Sequence, residues 1–501
     1  MKTHIVKIFV FFLMAFAFGC GGSTSNKRSN IVIETSGKNM LSVKSMHDDL
    51  SVLWSAIKEL HPGYGFYTSP ADLQKAYDST YASIKSPLTE SQFIDQIYPF
   101  MCELRCGHTQ LKHAEGYKPS INDTASHLPF KVLVRNHHAW ITAHQTAELH
   151  TGDEIMNING IPVSAIINRG YGLYCGDGYG ETFKELFLSE YDGFEDACNK
   201  CYHWKGPYQI KLHTVNGGIK NINVKPAESG AVTTDLTLKP VDNFANWTVV
   251  KGISDARLRF FNSSSTAWFS ATPFAYADTL VYKKAFAAIK QKGIKNLILD
   301  LRHNTGGDIR VATQLLSYLA DGPFNVVKEV KSRVSDLANN RFAKYFDSTI
   351  TQGFIQGYKT SSKTGDWYRI EATPAFGQIY GPFQLAKKDH FNGKLLVLID
   401  GATFSSGALL TAALKAQRKG IKFIGRETAG AEEGCNGVTL QHLTLPNTKI
   451  VVDFPWMRVI SMAKNPVKGR GIMPDYVVNY KPEDVVRNND VDLRKAMSLV
   501  R

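Results

Sequence analysis

The chain has 501 residues, of which 43% are hydrophobic and 21% charged, and its formal net charge is +13. This length suits two or three domains, and the composition excludes wholesale disorder. The positive charge is scattered, with no long basic run or aromatic-interleaved patch, so it reads as a solvated surface and not as a nucleic-acid footprint.

The first residues read as an export signal. Lys2 and Lys7 precede an apolar run from Ile8 to Phe18, well short of the ~20 residues that span a bilayer. Ala17-Phe18-Gly19-Cys20 then leads into Gly21-Gly22-Ser23. This junction resembles a bacterial lipobox. The resemblance implies cleavage before Cys20, lipidation of Cys20, and a membrane-anchored protein of the bacterial cell envelope facing the periplasm or the exterior. A plain secretory signal is the alternative. Residues 1–19 are then the signal and 20–45 a polar tether. Six cysteines remain beyond Cys20 and permit up to three disulfides in an oxidising compartment, but their pairing is not legible. Cys198 and Cys201 have Cys-x-x-Cys spacing, yet no second pair or nearby histidine completes a zinc set. No metal or other cofactor is assigned.

Helical periodicity marks residues 46–125, where Leu50, Leu53, Trp54, Ile57 and Leu60 recur at helix spacing. His61-Pro62-Gly63 stops that helix, and two more follow over 73–84 and 89–104. From 126 to 230 the pattern turns to strands. Asn159-Gly160 is a hairpin signal inside Gly152 to Val163, and that string resembles the strand-turn-strand of PDZ domains. Residues 169–204, rich in Gly, Tyr and Cys, look like an insertion. Within it Asp177 to Glu181 lacks calcium-loop spacing and reads as a loop.

Residues 240–480 alternate helix and strand. Strands are expected over 296–301, 395–399 and 421–424, with helices over 279–290, 309–319 and 406–417. Apolar strands in β-α-β order predict an α/β core whose mainly parallel sheet is covered by helices. Residues 481–501 form a helical tail. Sites in such sheets gather at the C-terminal strand ends, and two ends carry unusual sequences. Asp300-Leu301-Arg302-His303-Asn304-Thr305-Gly306-Gly307-Asp308 is either a tight turn or an anion site whose glycine N–H groups point at a negative oxygen. Asp400-Gly401-Ala402-Thr403-Phe404-Ser405-Ser406-Gly407 offers either a nucleophilic serine or an ordinary helix cap from Thr403, Ser405 or Ser406.

These two strings, in this order and about 100 residues apart, resemble the tail-specific (C-terminal processing) and tricorn-core serine proteases. Gly425-Arg426-Glu427-Thr428-Ala429-Gly430 and Gly471-Ile472-Met473-Pro474-Asp475 resemble that family's later motifs. Leu60-His61-Pro62-Gly63 and Arg105-Cys106-Gly107-His108-Thr109 resemble the helical region of its histidine-using branch. The resemblance implies a serine endopeptidase acting on polypeptides. Ser405 would be the nucleophile and His108 the general base. Ser406 N–H and a glycine N–H from Gly306 or Gly307, with Gly307 favoured, would form the oxyanion hole.

Ala431 stands where the other branch carries a lysine base. Ala408 stands where many members carry Glu. Lys468 lies near the tricorn-type carboxylate position, and Gly107 replaces a serine. Glu432, Glu433 and Asp475 are the candidates for orienting His108. The rival reading is a catalytically weak, peptide-binding lipoprotein. An esterase or lipase would carry Gly-x-Ser-x-Gly, which is absent around Ser405.

Overall fold

The computed structural model describes residues 40–118, 126–227, 246–271, 273–336 and 339–500. The segment expected to be an export signal, Cys20 and most of the expected tether lie outside the described residues.

Three helices open the fold: α1 (Val43–Leu60), α2 (Pro70–Ser83) and α3 (Glu90–Cys102). Each begins where a side chain accepts a free backbone N–H, from Ser42, Ser69 and Thr89, and Thr89 forms a capping box with Gln92. Leu50, Leu53, Trp54 and Ile57 are buried along one face of α1. They join the same hydrophobic core as the main sheet, so this helical region does not pack by itself. The short strand β1 (Gln110–Lys112) follows.

The next unit has its own core. Strands β2 (Phe130–Arg135), β3 (His138–His144), β4 (Glu154–Ile158), β5 (Ile161–Pro162), β6 (Tyr208–His213) and β7 (Ile219–Val224) make an antiparallel sheet ordered β2-β3-β4-β6-β7, with β5 on β4. Asn159 and Gly160 both have positive φ, as a tight two-residue hairpin turn requires. The stretch expected as an insertion is largely helical. It contains the end of α4 (Val163–Tyr171), then α5 (Thr182–Glu190) and α6 (Gly193–Asp196). Its glycines masked the periodicity because several serve close packing: a Cβ on Gly193 would lie 2.8 Å from the Phe187 carbonyl oxygen.

The core sheet contains β8 (Trp247–Val249), β9 (Leu258–Phe261), β10 (Thr266–Ser270), β11 (Asn296–Asp300), β15 (Lys394–Ile399), β16 (Lys422–Gly425) and β19 (Tyr476–Val477), in the order β19-β16-β15-β11-β10-β9-β8. β10, β11, β15, β16 and β19 run parallel, while β8 and β9 add an antiparallel edge. Leu297 and Leu299 face one core and Ile298 the opposite one. That alternation explains the continuous apolar run of a strand buried on both faces. Helices α7 (Asp278–Lys292), α8 (Ile309–Ser317) and α10 (Ser406–Gln417) follow strands of this sheet.

A second, antiparallel sheet was not anticipated from the alternating pattern. It takes β1 together with β12 (Val327–Ser332), β13 (Tyr358–Thr364), β14 (Trp367–Ala372), β17 (Gly434–Thr444) and β18 (Val451–Ser461), with α9 (Ser348–Gly357) beside it. β17 has a register break between Gly437 and Leu440, and β18 is buried along nearly its whole length. Neither strand therefore shows clean period-2 alternation. The tail forms α11 (Pro482–Val486) and α12 (Val491–Leu499). Leu493 and Ala496 cover the second face of the core sheet, and Asp490 and Asp492 pair with Arg302.

Candidate active site

β11 and β15 are adjacent parallel strands, with Leu299 beside Val397 and Asp300 beside Leu398. Their C-terminal loops, 301–308 and 400–405, therefore lie side by side. The second loop is fixed from below. Thr403 Oγ1 donates to the Leu301 carbonyl at 2.8 Å, and Phe404 N–H donates to the Asn304 carbonyl at 3.0 Å. Residues 401–404 and 406 are buried, and only Ser405 of this turn is partly exposed.

Ser405 has φ +52° and ψ −125°, outside the ordinary basins of a side-chain-bearing residue. Such strain at a strand-to-helix turn lifts a side chain out of the fold. It sits at the N-cap position of α10 without making a side-chain cap bond. Its Oγ instead lies 3.0 Å from His108 Nε2. The serine thus has a base within hydrogen-bond reach, at the positive end of a twelve-residue helix.

His108 comes from a distant part of the chain, 297 residues before Ser405. Two anchors hold its segment. β1 pairs with β18, Gln110 opposite Asp453, and Thr109 Oγ1 lies 2.8 Å from His61 Nε2. His61 Nδ1 accepts the Gly63 N–H at 2.9 Å, so Nε2 carries the proton and donates to Thr109. The His108 ring stacks on Phe404, with centroids 4.5 Å apart. Burial disfavours its charged form and lowers its pKa to about 4, so the ring is a neutral base near pH 7.

Gly306 and Gly307 have φ of +100° and +121°. A Cβ on Gly306 would fall 2.6 Å from Ser405 Cβ, and one on Gly307 would fall 2.3 Å from the Phe274 carbonyl oxygen. Only glycine fits either position. Ser406 Oγ donates to the Gly307 carbonyl at 2.7 Å and ties the two loops together. Gly306 N–H is taken by Asn304 Oδ1 at 2.9 Å. The N–H groups of Gly307 and Ser406 have no acceptor among the described residues. They are two free donors in loops that press on the serine. Among the described residues, no cluster of His, Cys, Asp or Glu could hold a metal ion.

Residues 268–478 match the model of peptidase family S41. This stretch, less than half of the chain, carries the peptidase-family match and supports a serine-type peptidase. No curated protein matches it. Three solved structures similar to this chain are of CPAF. Mature CPAF has 14% identity and a TM-score of 0.60, covering 91% of this chain and 96% of that one. Mature CPAF complexed with lactacystin has 14% identity and a TM-score of 0.59, covering 91% and 97%. A mutant of CPAF has 13% identity and a TM-score of 0.62, covering 91% and 96%. At this identity the likeness shows a shared fold.

The three carboxylates considered from sequence for orienting His108 are engaged elsewhere. Glu432 pairs with Lys415 at 2.7 Å. Glu433 Oε1 accepts from Tyr67 Oη and Gly469 N–H, each at 2.8 Å. Asp475 holds Lys422 and the Phe423 N–H beside β16. Lys468 is exposed, with its ammonium 5.0 Å from the centre of the Phe66 ring. His108 Nδ1 is buried without a partner. The family motifs gave no hint of the carboxylate that does approach this segment. Asp177 Oδ1 accepts the Gly107 N–H at 2.8 Å, and Asp177 lies in the stretch read as a plain loop.

Proposed function

We propose that this chain is a Ser-His endopeptidase that cleaves exported or misfolded polypeptides at the bacterial cell envelope, held to the membrane through lipidated Cys20. The observation that carries the chemistry is the 3.0 Å contact between Ser405 Oγ and His108 Nε2, at the end of β15 and beside two free N–H donors. In this reading Nε2 takes the Ser405 proton as Oγ attacks the scissile carbonyl. The N–H groups of Gly307 and Ser406 hold the oxyanion. The tetrahedral intermediate then collapses, and the imidazolium protonates the leaving amine. A water attacks the acyl-enzyme by the same route in reverse, freeing Ser405 and the carboxylic acid product. Neutral His108 suits the first step. The 128–224 β unit, PDZ-like in sequence, would receive a substrate tail as an added strand.

The test is cleavage of casein by the full-length protein beside Ser405→Ala and His108→Ala. Both variants are expected to lose activity by at least about 10³-fold. Activity that survives in Ser405→Ala removes the nucleophile. The partnerless His108 Nδ1 favours a second reading, a peptide-binding protein with weak catalysis. Stoichiometric labelling of Ser405 by a fluorophosphonate would argue against it. Release of a lipid-modified peptide beginning at Cys20 tests the anchor, and a protein recovered without lipid in the soluble fraction refutes it.

A further inference from the structure

A buried polar cluster surrounds the backbone that leads into His108. It gathers residues from four places: Cys106 and Gly107, Asp177, Glu433 and Cys435 of the 433–437 stretch, and Arg458 of β18. Asp177 Oδ1 accepts the N–H of Gly107 at 2.8 Å, one peptide unit before His108. The Asp177 turn cannot drift, because Gly178 N–H donates to the Arg105 carbonyl at 3.1 Å and Tyr179 N–H to the Gly469 carbonyl at 2.7 Å. A Cβ on Gly178 would meet the Gly469 carbonyl oxygen at 2.3 Å, so the closeness of the two segments is built in. Among the described residues, Asp177 Oδ2 and His108 Nδ1 each have no hydrogen-bond partner, and both residues are at least nine-tenths buried. Glu433 Oε2 and Arg458 Nε and Nη2 also lack a hydrogen-bond partner among the described residues. A buried polar atom left unsatisfied costs about 1–3 kcal/mol, and such atoms in roomy polar sites are commonly bridged by water.

We propose that Asp177 is the positioning residue for His108, acting through one water that accepts the Nδ1 proton and donates to Asp177 Oδ2. The inference rests on the reading of His108 as the general base. Its chemical effect is to fix the tautomer. With Nδ1–H held by the water, the Nε2 lone pair faces Ser405, and the imidazolium formed during attack is stabilised by a nearby carboxylate. The groups facing Asp177 are Arg458, which favours its charge, and Glu433, which opposes it, with Tyr67 and the thiols of Cys106 and Cys435 around them. Burial is the largest influence and lifts its pKa to about 7. The carboxylate therefore accepts above that pH and fails to accept below it, so turnover rises as pH increases through about 7.

The experiment compares wild type, Asp177→Asn and Asp177→Glu in kcat and KM from pH 5 to 9, with Ser405→Ala and His108→Ala as references. Asparagine keeps the acceptor for Gly107 but turns a donor towards the water. Its kcat is expected to fall by about 10²–10⁴-fold, with KM within threefold and the limb near pH 7 gone. Asp177→Glu is expected to recover part of the loss. An Asp177→Asn enzyme within threefold of wild type at every pH, while both reference variants are dead, overturns this inference alone. Activity in Ser405→Ala or His108→Ala overturns the Ser-His reading on which it stands. Should Asp177→Asn fail to fold, a high-resolution crystal structure of Ser405→Ala decides. A water between Nδ1 and Asp177 Oδ2 supports the proposal, and Nδ1 bonded to any other group overturns it.

Discussion

Replacing Gly306 by alanine tests whether Ser405, the proposed nucleophile, depends on the loop from the neighbouring strand. At φ +100° a side-chain-bearing residue costs about 1–3 kcal/mol in backbone strain. The new methyl would stand 2.6 Å from Ser405 Cβ and 2.8 Å from Ser406 N. Comfortable carbon contacts begin near 3.5 Å, so the two loops must separate by about 1 Å. A displacement of that size at reacting atoms costs about 10²-fold in rate. It also moves Ser406 N–H, one of the two free donors. Gly306→Ala is therefore expected to fold with a lowered Tm and to lose about 10²-fold in kcat. Gly353→Ala is the control, since a Cβ there meets nothing within 4 Å. The assay pairs thermal unfolding with the rate of fluorophosphonate labelling of Ser405. Gly306→Ala labelling at the wild-type rate would refute the argument that this glycine sets the nucleophile's position.

His61 is fully buried and neutral, and its pKa is lowered to about 3, chiefly by burial and secondarily by Arg333. Because the folded value lies below the unfolded one, its contribution is intact above pH 6.5 and is lost as pH falls from 6.5 towards 3. This is on the order of 4 kcal/mol. His61→Asn is expected to flatten the acid side of the stability profile measured by urea unfolding, and an unchanged slope would contradict the assignment. Cys102 and Cys175 are thiols with sulfurs 3.1 Å apart. Treatment with oxidised glutathione is expected to join them, each sulfur losing its proton as the pair passes two electrons to the reagent. The bond closes a loop worth up to about 4 kcal/mol. Non-reducing peptide mapping checks it, and a Cys102–Cys175 peptide that never forms under oxidation counts against it.

The core strands and helices were legible because each was long, apolar and bounded by a cap or a glycine. The parallel sheet followed from their β-α-β order, since both faces of each strand need cover. Ser405 and the Gly306-Gly307 pair were visible as short motifs at strand ends. On residue chemistry alone, however, a tight turn accounts for the glycines as well as an anion site does, and a helix cap accounts for the serine better than a nucleophile does. The antiparallel sheet of β12–β14, β17 and β18 left little trace, because its bulges and two-sided burial erase period-2 alternation. Asp177 was passed over for a different reason: a single carboxylate in a glycine-rich loop carries no local signal.

What the sequence determined by itself is the long apolar helices and strands of the core and which types of reactive group are available. Those properties depend on neighbours within a few positions. What only the tertiary structure decided is which groups meet. His108 lies 3.0 Å from Ser405 across 297 residues because β1 pairs with β18 while β15 lies beside β11. Gly306 N–H is occupied and Gly307 N–H is free because Asn304 folds back within one loop. These contacts arise from the register of strands distant in the chain, and no local pattern of residues encodes that register.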